Sequence, residues 1–317
     1  MSSLPKVCVV GCGHWGKNLA RNFFELGALG AITDPHPPTL ERVSSEFSVP
    51  GLSFEDAISS SVIDAVVIAS PAELHAPLAI KAFQAGKHVY VEKPLALSMD
   101  DGLAIKSASL KAGKVLMVGH LLQYHPAFIA LLDLVKSGRL GEIRYAYSNR
   151  LSLGRFRIEE NALWSFAPHD ISMLLAIFGG EIPQSVNMSG GSYLTDGIED
   201  EVRLDMHFAD GRHAHVFSSW LHPFKEQRLV VIGTEAMAVF EDHLQGAQKL
   251  RLYNTKIDTS GAVPVGHKGE EETIPFEASE PLKNECQHFL DAIMGKCAVR
   301  TDADEALRVL KVLTSAV

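Results

Sequence analysis

The sequence predicts an α/β chain of two domains: a parallel sheet with helical crossovers in residues 1–119, then a β-rich α+β domain with C-terminal helices in residues 120–317. Three observations carry this reading. Short apolar, β-prone runs alternate with helix-patterned segments through the first domain. A glycine-rich turn joins the first run to the first helix. Beyond "VGH", residues 118–120, the alternation gives way to longer β-rich segments parted by turn signals.

Residues 6–10, "KVCVV", are β-prone and run into "GCGHWGKNLARNFFEL", where Leu19, Phe23 and Leu26 recur at helical spacing. Gly11, Gly13 and Gly16 match G-x-G-x-x-G. In a dinucleotide (Rossmann) fold the first glycine permits the turn, the second lets a pyrophosphate approach the backbone, and the third brings helix and strand together. The next run, "GAITD", ends at Asp34, about 20 residues on, where such folds place the acid that bonds the adenosine ribose diol. A carboxylate there repels a 2'-phosphate, and no arginine follows until Arg42, so NAD is favoured over NADP. A turn aspartate before prolines is the plainer account of Asp34, and the strand-turn-helix context weighs against it.

The alternation continues through a helix at "TLERVSSEF", a short strand near "GLSF", a helix at "FEDAISS" and the apolar strand "IDAVVIASP". Helix "HAPLAIKAFQAG" follows, and strand "HVYVEKP" ends on Glu92 and Lys93. Parallel sheets bind ligands beyond the carboxyl ends of their strands, which is where Ser70, Pro71, Glu92, Lys93 and Pro94 fall. Two charges closing a buried strand do nothing for the core, but they suit the mouth of a cofactor crevice. Pro94 constrains the backbone after Lys93 and is compatible with a cis peptide.

In the second half, "EIRYAYSNRLSL", "EVRLDMHFAD", "RHAHVFSSWL", "QRLVVIG" and "MAVFED" read as strands, with helices at "AFIALLDLVKSG" and "DISMLLAIFGG". "PLKNECQHFLDAIMG" and "TDADEALRVLKVL" read as helices, the second with Asp302 as N-cap and Glu305 at the third position.

Composition narrows the function classes. With 317 residues, 46% of them hydrophobic, the chain can enclose a cleft, and a formal charge of -9 argues against a nucleic-acid or polybasic membrane surface. Cys8, Cys12, Cys286 and Cys297 lack metal-ligand spacing and fit reduced thiols. No signal-peptide pattern or membrane-length apolar run is present, so a cytoplasmic location is expected. His213 and His215 alternate along one strand with no cysteine or carboxylate set beside them, so no metal is expected.

These residues carry a family resemblance. Gly11-Cys-Gly-His-Trp-Gly16, Ser70-Pro71 with His75, "AGKHVYVEKP" and "PHDI" from Pro168 resemble the glucose-fructose oxidoreductase, inositol dehydrogenase and MocA group of NAD(P)-dependent sugar dehydrogenases. The resemblance spans nearly the whole chain. It implies an open, mainly antiparallel sheet in the second domain. It also implies cofactor contacts from the loop Gly11, Gly13, His14, Trp15 and Gly16, and from Asp34. Further contacts follow from Ser70, Pro71, His75, Glu92 and Lys93.

Within the resemblance, Lys93 lies by the reacting carbinol, and His169 occupies the position of the active-site histidine, expected at the start of a helix. Oxidising a secondary alcohol needs a base in reach of its hydroxyl, and imidazole suits neutral pH. Many members carry an aspartate four residues before this histidine; here that position is Ser165. "GHLLQYHPA" and "NRLSLGRFRIEENALWSFAPHDI" resemble a narrower branch acting on nucleotide-linked sugars, which implies oxidation of the C3 hydroxyl of UDP-N-acetylglucosamine ahead of an aminotransferase in lipid A formation. Arg150, Arg155 and Arg157 are then candidates for the diphosphate, with Lys225 and Arg228 a second basic pair, and Tyr124, Asn161 and Trp164 for the sugar. Another nucleotide sugar, a polyol, or a dinucleotide-binding regulator without turnover are the alternatives. An open sheet with few covering helices leads to the expectation of a homodimer or homotetramer.

Overall fold

The computed structural model describes residues 4–154, 156–258 and 260–316. The chain divides into two compact units: one runs to Leu121 and takes in Glu280–Leu310, and the other comprises Leu122–Ser279 and the residues from Lys311 on.

The first unit alternates β1 (Val7–Val10), α1 (Gly16–Glu25), β2 (Leu29–Thr33), α2 (Pro37–Phe47), α3 (Phe54–Ser59), β3 (Ala65–Ile68), α4 (His75–Gln84), β4 (His88–Glu92), α5 (Met99–Ala112) and β5 (Leu116–Gly119). The strands pair in parallel in the order β2-β1-β3-β4-β5. Val7, Cys8, Val9, the whole of β3 and Val89–Val91 are fully buried, as expected of a parallel sheet covered on both faces. The strand order reverses between β1 and β3, and a crevice opens beyond their carboxyl ends at such a reversal.

The "GLSF" segment departs from expectation. Only Gly51 makes an isolated bridge, to Ile32, because Ser53 is already committed as the α3 cap, accepting the Asp56 amide at 3.0 Å.

The second unit contains α6 (Pro126–Lys136), β6 (Ile143–Leu153), α7 (Ala162–Ile177), β7 (Ser185–Gly191), β8 (Glu201–His207), β9 (His213–Ser219), β10 (Leu221–Gly233), β11 (Met237–Glu241) and β12 (Leu250–Tyr253). A small hairpin, β13 (Lys256–Asp258) with β14 (Val265–His267), and β15 (Glu271–Thr273) complete it. The main sheet has the order β15-β12-β11-β10-β6-β9-β8-β7, and every pairing in it is antiparallel except β6 with β9. Along β8, Val202, Leu204 and Met206 face inward while Arg203 and His207 face out, the period of a half-covered sheet. Helix α7 packs on β6, β8 and β9.

Helix α7 starts eight residues before the expected point, because the Asn161 side chain caps it by accepting the Trp164 amide at 3.1 Å, and Pro168 is carried inside. His169 therefore lies in mid-helix rather than at a helix start.

The chain closes with α8 (Pro281–Ile293) and α9 (Ala303–Ser315). Asp302 Oδ1 accepts the Glu305 amide at 2.9 Å, the predicted cap. A boundary at residue 119 assigned both helices to the second domain, whereas α8 and the start of α9 group with the first unit. The apolar face of α8 explains it. Phe289 meets Phe23 edge-on with ring centroids 6.4 Å apart and Tyr90 at 5.8 Å, so this helix completes the core over α1 and β4.

Candidate active site

Gly11 follows β1 at φ +88, and a side chain there would press its Cβ to 2.9 Å from the Ala69 carbonyl. At Gly16, the start of α1, a Cβ would lie 1.7 Å from the Gly11 carbonyl oxygen, so only glycine lets the helix close on the loop. Gly13 differs: a Cβ there meets nothing within 4 Å. It lines a cavity of about 650 Å³ whose walls include Asp34, Leu40, Phe54, Ser70, Pro71 and Leu78.

Asp34 stands at the end of β2 with its carboxylate oriented by two backbone donors, the Cys12 amide at 2.7 Å and the His36 amide at 2.9 Å. Burial and the Asp34 charge push the Cys12 thiol up to about 12, so the glycine loop carries a neutral thiol. His14 is exposed on the same loop.

The carboxyl end of β4 is built around Glu92. Its Oε1 accepts Trp15 Nε1 at 2.7 Å and the Tyr90 hydroxyl at 3.0 Å, and its Oε2 accepts the Lys93 amide at 3.2 Å. Thus Trp15 of the glycine loop and the Lys93 turn are joined through one buried carboxyl. The Lys93–Pro94 peptide is cis.

His75 does not reach the cavity as a ligand. It is 1% exposed, with Nδ1 2.8 Å from the Pro94 carbonyl oxygen and Nε2 2.9 Å from that of Ser70, so it braces the two loops from behind. Burial pushes its imidazole below the ordinary histidine range, with the two carbonyls and Glu73 acting against that.

In the second unit, His169 is half-buried on α7 and Tyr124 is buried just before α6. Arg150 is not a free cation: Nε lies 2.5 Å from Asp170 Oδ2 and Nη2 3.1 Å from Oδ1. Asn161 is spent on its cap and on Glu199, whose Oε2 accepts its side-chain amide at 2.7 Å. Arg157 is exposed and paired with Glu160 at 3.1 Å. Trp164 is half-buried, and Arg155 lies outside the described residues. Arg228 meets Glu241 at 2.8 Å on the sheet.

Sequence reading missed Asp170, the acid that claims Arg150, although it lies in the quoted "PHDI". It also missed Tyr90 and Glu285. Glu285 is fully buried on α8, and no local pattern marks it as belonging with Glu92.

Two family models match this chain: an oxidoreductase family with an NAD-binding Rossmann fold over residues 5–120, and a GFO/IDH/MocA C-terminal domain over residues 128–239. The chain belongs to the GFO/IDH/MocA oxidoreductase family. It is 29% identical over 261 residues to the 2,7-anhydro-N-acetylneuraminate hydratase of Escherichia coli strain K12, covering 77% of this chain and 69% of that protein. It is 26% identical over 303 residues to the UDP-N-acetylglucosamine 3-dehydrogenase of Acidithiobacillus ferrooxidans, covering 95% of this chain and 93% of that one. A solved structure of a UDP-N-acetylglucosamine 3-dehydrogenase from A. ferrooxidans superposes with a TM-score of 0.87 at 24% identity, covering 100% and 97% of the two chains, a likeness of fold.

As a GFO/IDH/MocA member the protein is an NAD-dependent oxidoreductase, and its own geometry fits the cofactor. The open space at Gly13 leaves the backbone accessible to a pyrophosphate at the start of α1, and Asp34 is aimed for a ribose diol by its two amides. Among the described residues, no helix is long and apolar enough to cross a membrane.

Proposed function

We propose that the protein oxidises the C3 hydroxyl of UDP-N-acetylglucosamine to the 3-keto sugar, a product suited to an aminotransferase that prepares the amino sugar of lipid A. The observation that carries this reading is the end-to-end match to the A. ferrooxidans dehydrogenase across both units; the hydratase match covers less of either chain.

NAD, when bound, accepts the hydride that leaves the sugar carbon. The chain supplies the rest: the glycine loop and α1 hold the diphosphate of the cofactor, Asp34 the ribose, and Glu92 fixes Trp15 beside the Lys93 turn. Oxidation releases the hydroxyl proton as well, and Lys93 and His169 are the residues assigned to it. Of the predicted arginines, Arg157 is the better candidate for the substrate diphosphate, since Arg150 is committed to Asp170. Location in the cytoplasm and assembly into a homo-oligomer belong to the same reading. The sheet face carrying Tyr145, Tyr147, His213 and His215, with the rings stacked in pairs 5.2 and 5.1 Å apart, is the surface a second copy would cover.

The test is a panel of UDP-N-acetylglucosamine, other nucleotide sugars, free N-acetylglucosamine and inositol with NAD, followed at the nicotinamide absorbance. UDP-N-acetylglucosamine is expected to give turnover, abolished in Lys93→Ala, and the free sugars none. Turnover with inositol alone overturns the nucleotide-sugar reading.

A further inference from the structure

Glu285 presents a chemical anomaly. It is a carboxyl with no exposure, on a helix that closes the core of the first unit, and neither of its oxygens has a hydrogen-bond donor in geometry to meet it. An ionised carboxylate in that condition bears the full cost of desolvation with nothing to offset it. Protonated, the same group is a neutral donor and needs only an acceptor.

The hydroxyl that interacts with it is that of Tyr90. Tyr90 lies beside Glu285, and its hydroxyl hydrogen is already committed to Glu92 Oε1 at 3.0 Å, which leaves the phenolic oxygen to accept. Glu92 is the opposite case. It is also buried, but three donors converge on it, Trp15 Nε1 at 2.7 Å, the Tyr90 hydroxyl at 3.0 Å and the Lys93 amide at 3.2 Å. Burial pushes both carboxyls up, and the Glu92 charge pushes Glu285 further, so the pair holds one proton between them. The donors decide its place: the charge belongs on Glu92 and the proton on Glu285. Burial and the neighbouring Glu92 charge push Glu285 far above the usual carboxylate range, in agreement with that placement.

We propose that Glu285 is a positioning residue for the cofactor site: a neutral acid that donates through Tyr90 to Glu92, and so holds Glu92 as the anion that joins Trp15 of the glycine loop to the Lys93 turn. Glu285 touches neither substrate nor cofactor. It acts through Tyr90 and Glu92, and its role is independent of which sugar is oxidised. Gly119 preserves the arrangement from the other side, because a Cβ there would sit 2.6 Å from the Tyr90 hydroxyl and 2.8 Å from Glu92 Oε2.

The experiment uses the full-length protein, with Glu285→Gln and Glu285→Leu as variants. Infrared spectra in deuterated buffer report the carbonyl stretch of any protonated carboxylic acid, and NADH titration by nicotinamide fluorescence reports cofactor affinity. At slightly alkaline pH the wild type is expected to keep a protonated-carboxyl band that Glu285→Gln lacks. Glu285→Leu, without a donor, is expected to weaken NADH binding about tenfold, and Glu285→Gln, whose amide can donate to Tyr90, to restore it to within about threefold. Absence of the band in the wild type, its persistence in Glu285→Gln, or wild-type NADH affinity in Glu285→Leu each overturns the proposal. Should Glu285→Leu fail to fold, the band and its assignment through Glu285→Gln decide alone. Neither readout requires a sugar, so the outcome is separate from that of the substrate panel.

Discussion

Arg150 and Asp170 form a two-point ion pair inside the second unit, with Nε to Oδ2 at 2.5 Å and Nη2 to Oδ1 at 3.1 Å, and Ser148 Oγ donates to the same carboxylate at 2.5 Å. The guanidinium is 11% exposed and the carboxylate 1%. Burial works against the Arg150 charge, but Asp170 more than offsets it, and the arginine is held above its usual range. The pair locks β6 to α7, and an arginine used this way is structural first.

Arg150→Ala therefore leaves Asp170 buried without its partner, and the expected cost is about 3–5 kcal/mol of stability. Chemical denaturation measures it. Affinity of the folded fraction for UDP, followed by calorimetry, is expected to stay within about twofold, while Arg157→Ala weakens it more. A large, selective loss of UDP binding in Arg150→Ala with unchanged stability would refute the structural assignment.

Cofactor choice rests on Asp34. Removing its carboxylate in Asp34→Ala takes away the ribose acceptor and the repulsion toward a 2'-phosphate together. The ratio of NADH to NADPH affinity is expected to fall at least about tenfold, the equivalent of one charge-assisted hydrogen bond. Fluorescence titration with both cofactors checks it, and an unchanged ratio would place the discrimination elsewhere.

Two glycines separate packing from backbone strain. Gly119→Ala drives a methyl into Tyr90 and Glu92, and NADH binding is expected to drop about tenfold through displacement of Glu92. Gly86→Ala, at φ +76 with open space around it, meets only the left-handed backbone penalty of roughly 1–2 kcal/mol and is expected to leave NADH affinity unchanged. Equal effects on affinity would count against the Glu92 link.

His88 sets a pH dependence of stability. Burial and the Lys114 charge press its pKa down from the ordinary histidine value of 6.5 to about 4, and Nδ1 accepts the Val115 amide at 3.0 Å, so the folded state holds it neutral. A depressed pKa means that the unfolded chain takes up the proton first as pH falls. The stabilisation is thus complete above about pH 6.5 and is lost progressively down to about pH 4. Since the ring is only half-buried, the loss is on the order of 1 kcal/mol after solvent screening. Urea unfolding at neutral pH and near pH 5 should show a drop in the wild type that His88→Asn reduces; equal drops would clear His88 of the effect.

What could be read in advance was local. The alternation of strand and helix, the Gly11-Gly13-Gly16 turn, Asp34 at its offset and the Asp302 cap all lie in short windows where side-chain period and turn chemistry act on neighbours. The "GLSF" strand failed because Ser53 competes within the same few residues, a cap outweighing a weak β preference. The start of α7 failed because a proline inside a helix looks like a boundary until Asn161 is seen capping seven residues earlier.

The identity of the fold, the glycine loop and the charged end of β4 were thus determined by the amino-acid order, because each depends on residues close together in the chain. Which charge meets which was decided only by packing. Arg150 finds Asp170 across a strand and a helix, and Glu92 meets Trp15, Tyr90 and the neighbourhood of Glu285 when α8 settles on α1 and β4. No sequence pattern predicts such pairings, since burial fixes their energy and the pairing exists only once distant segments exclude water together.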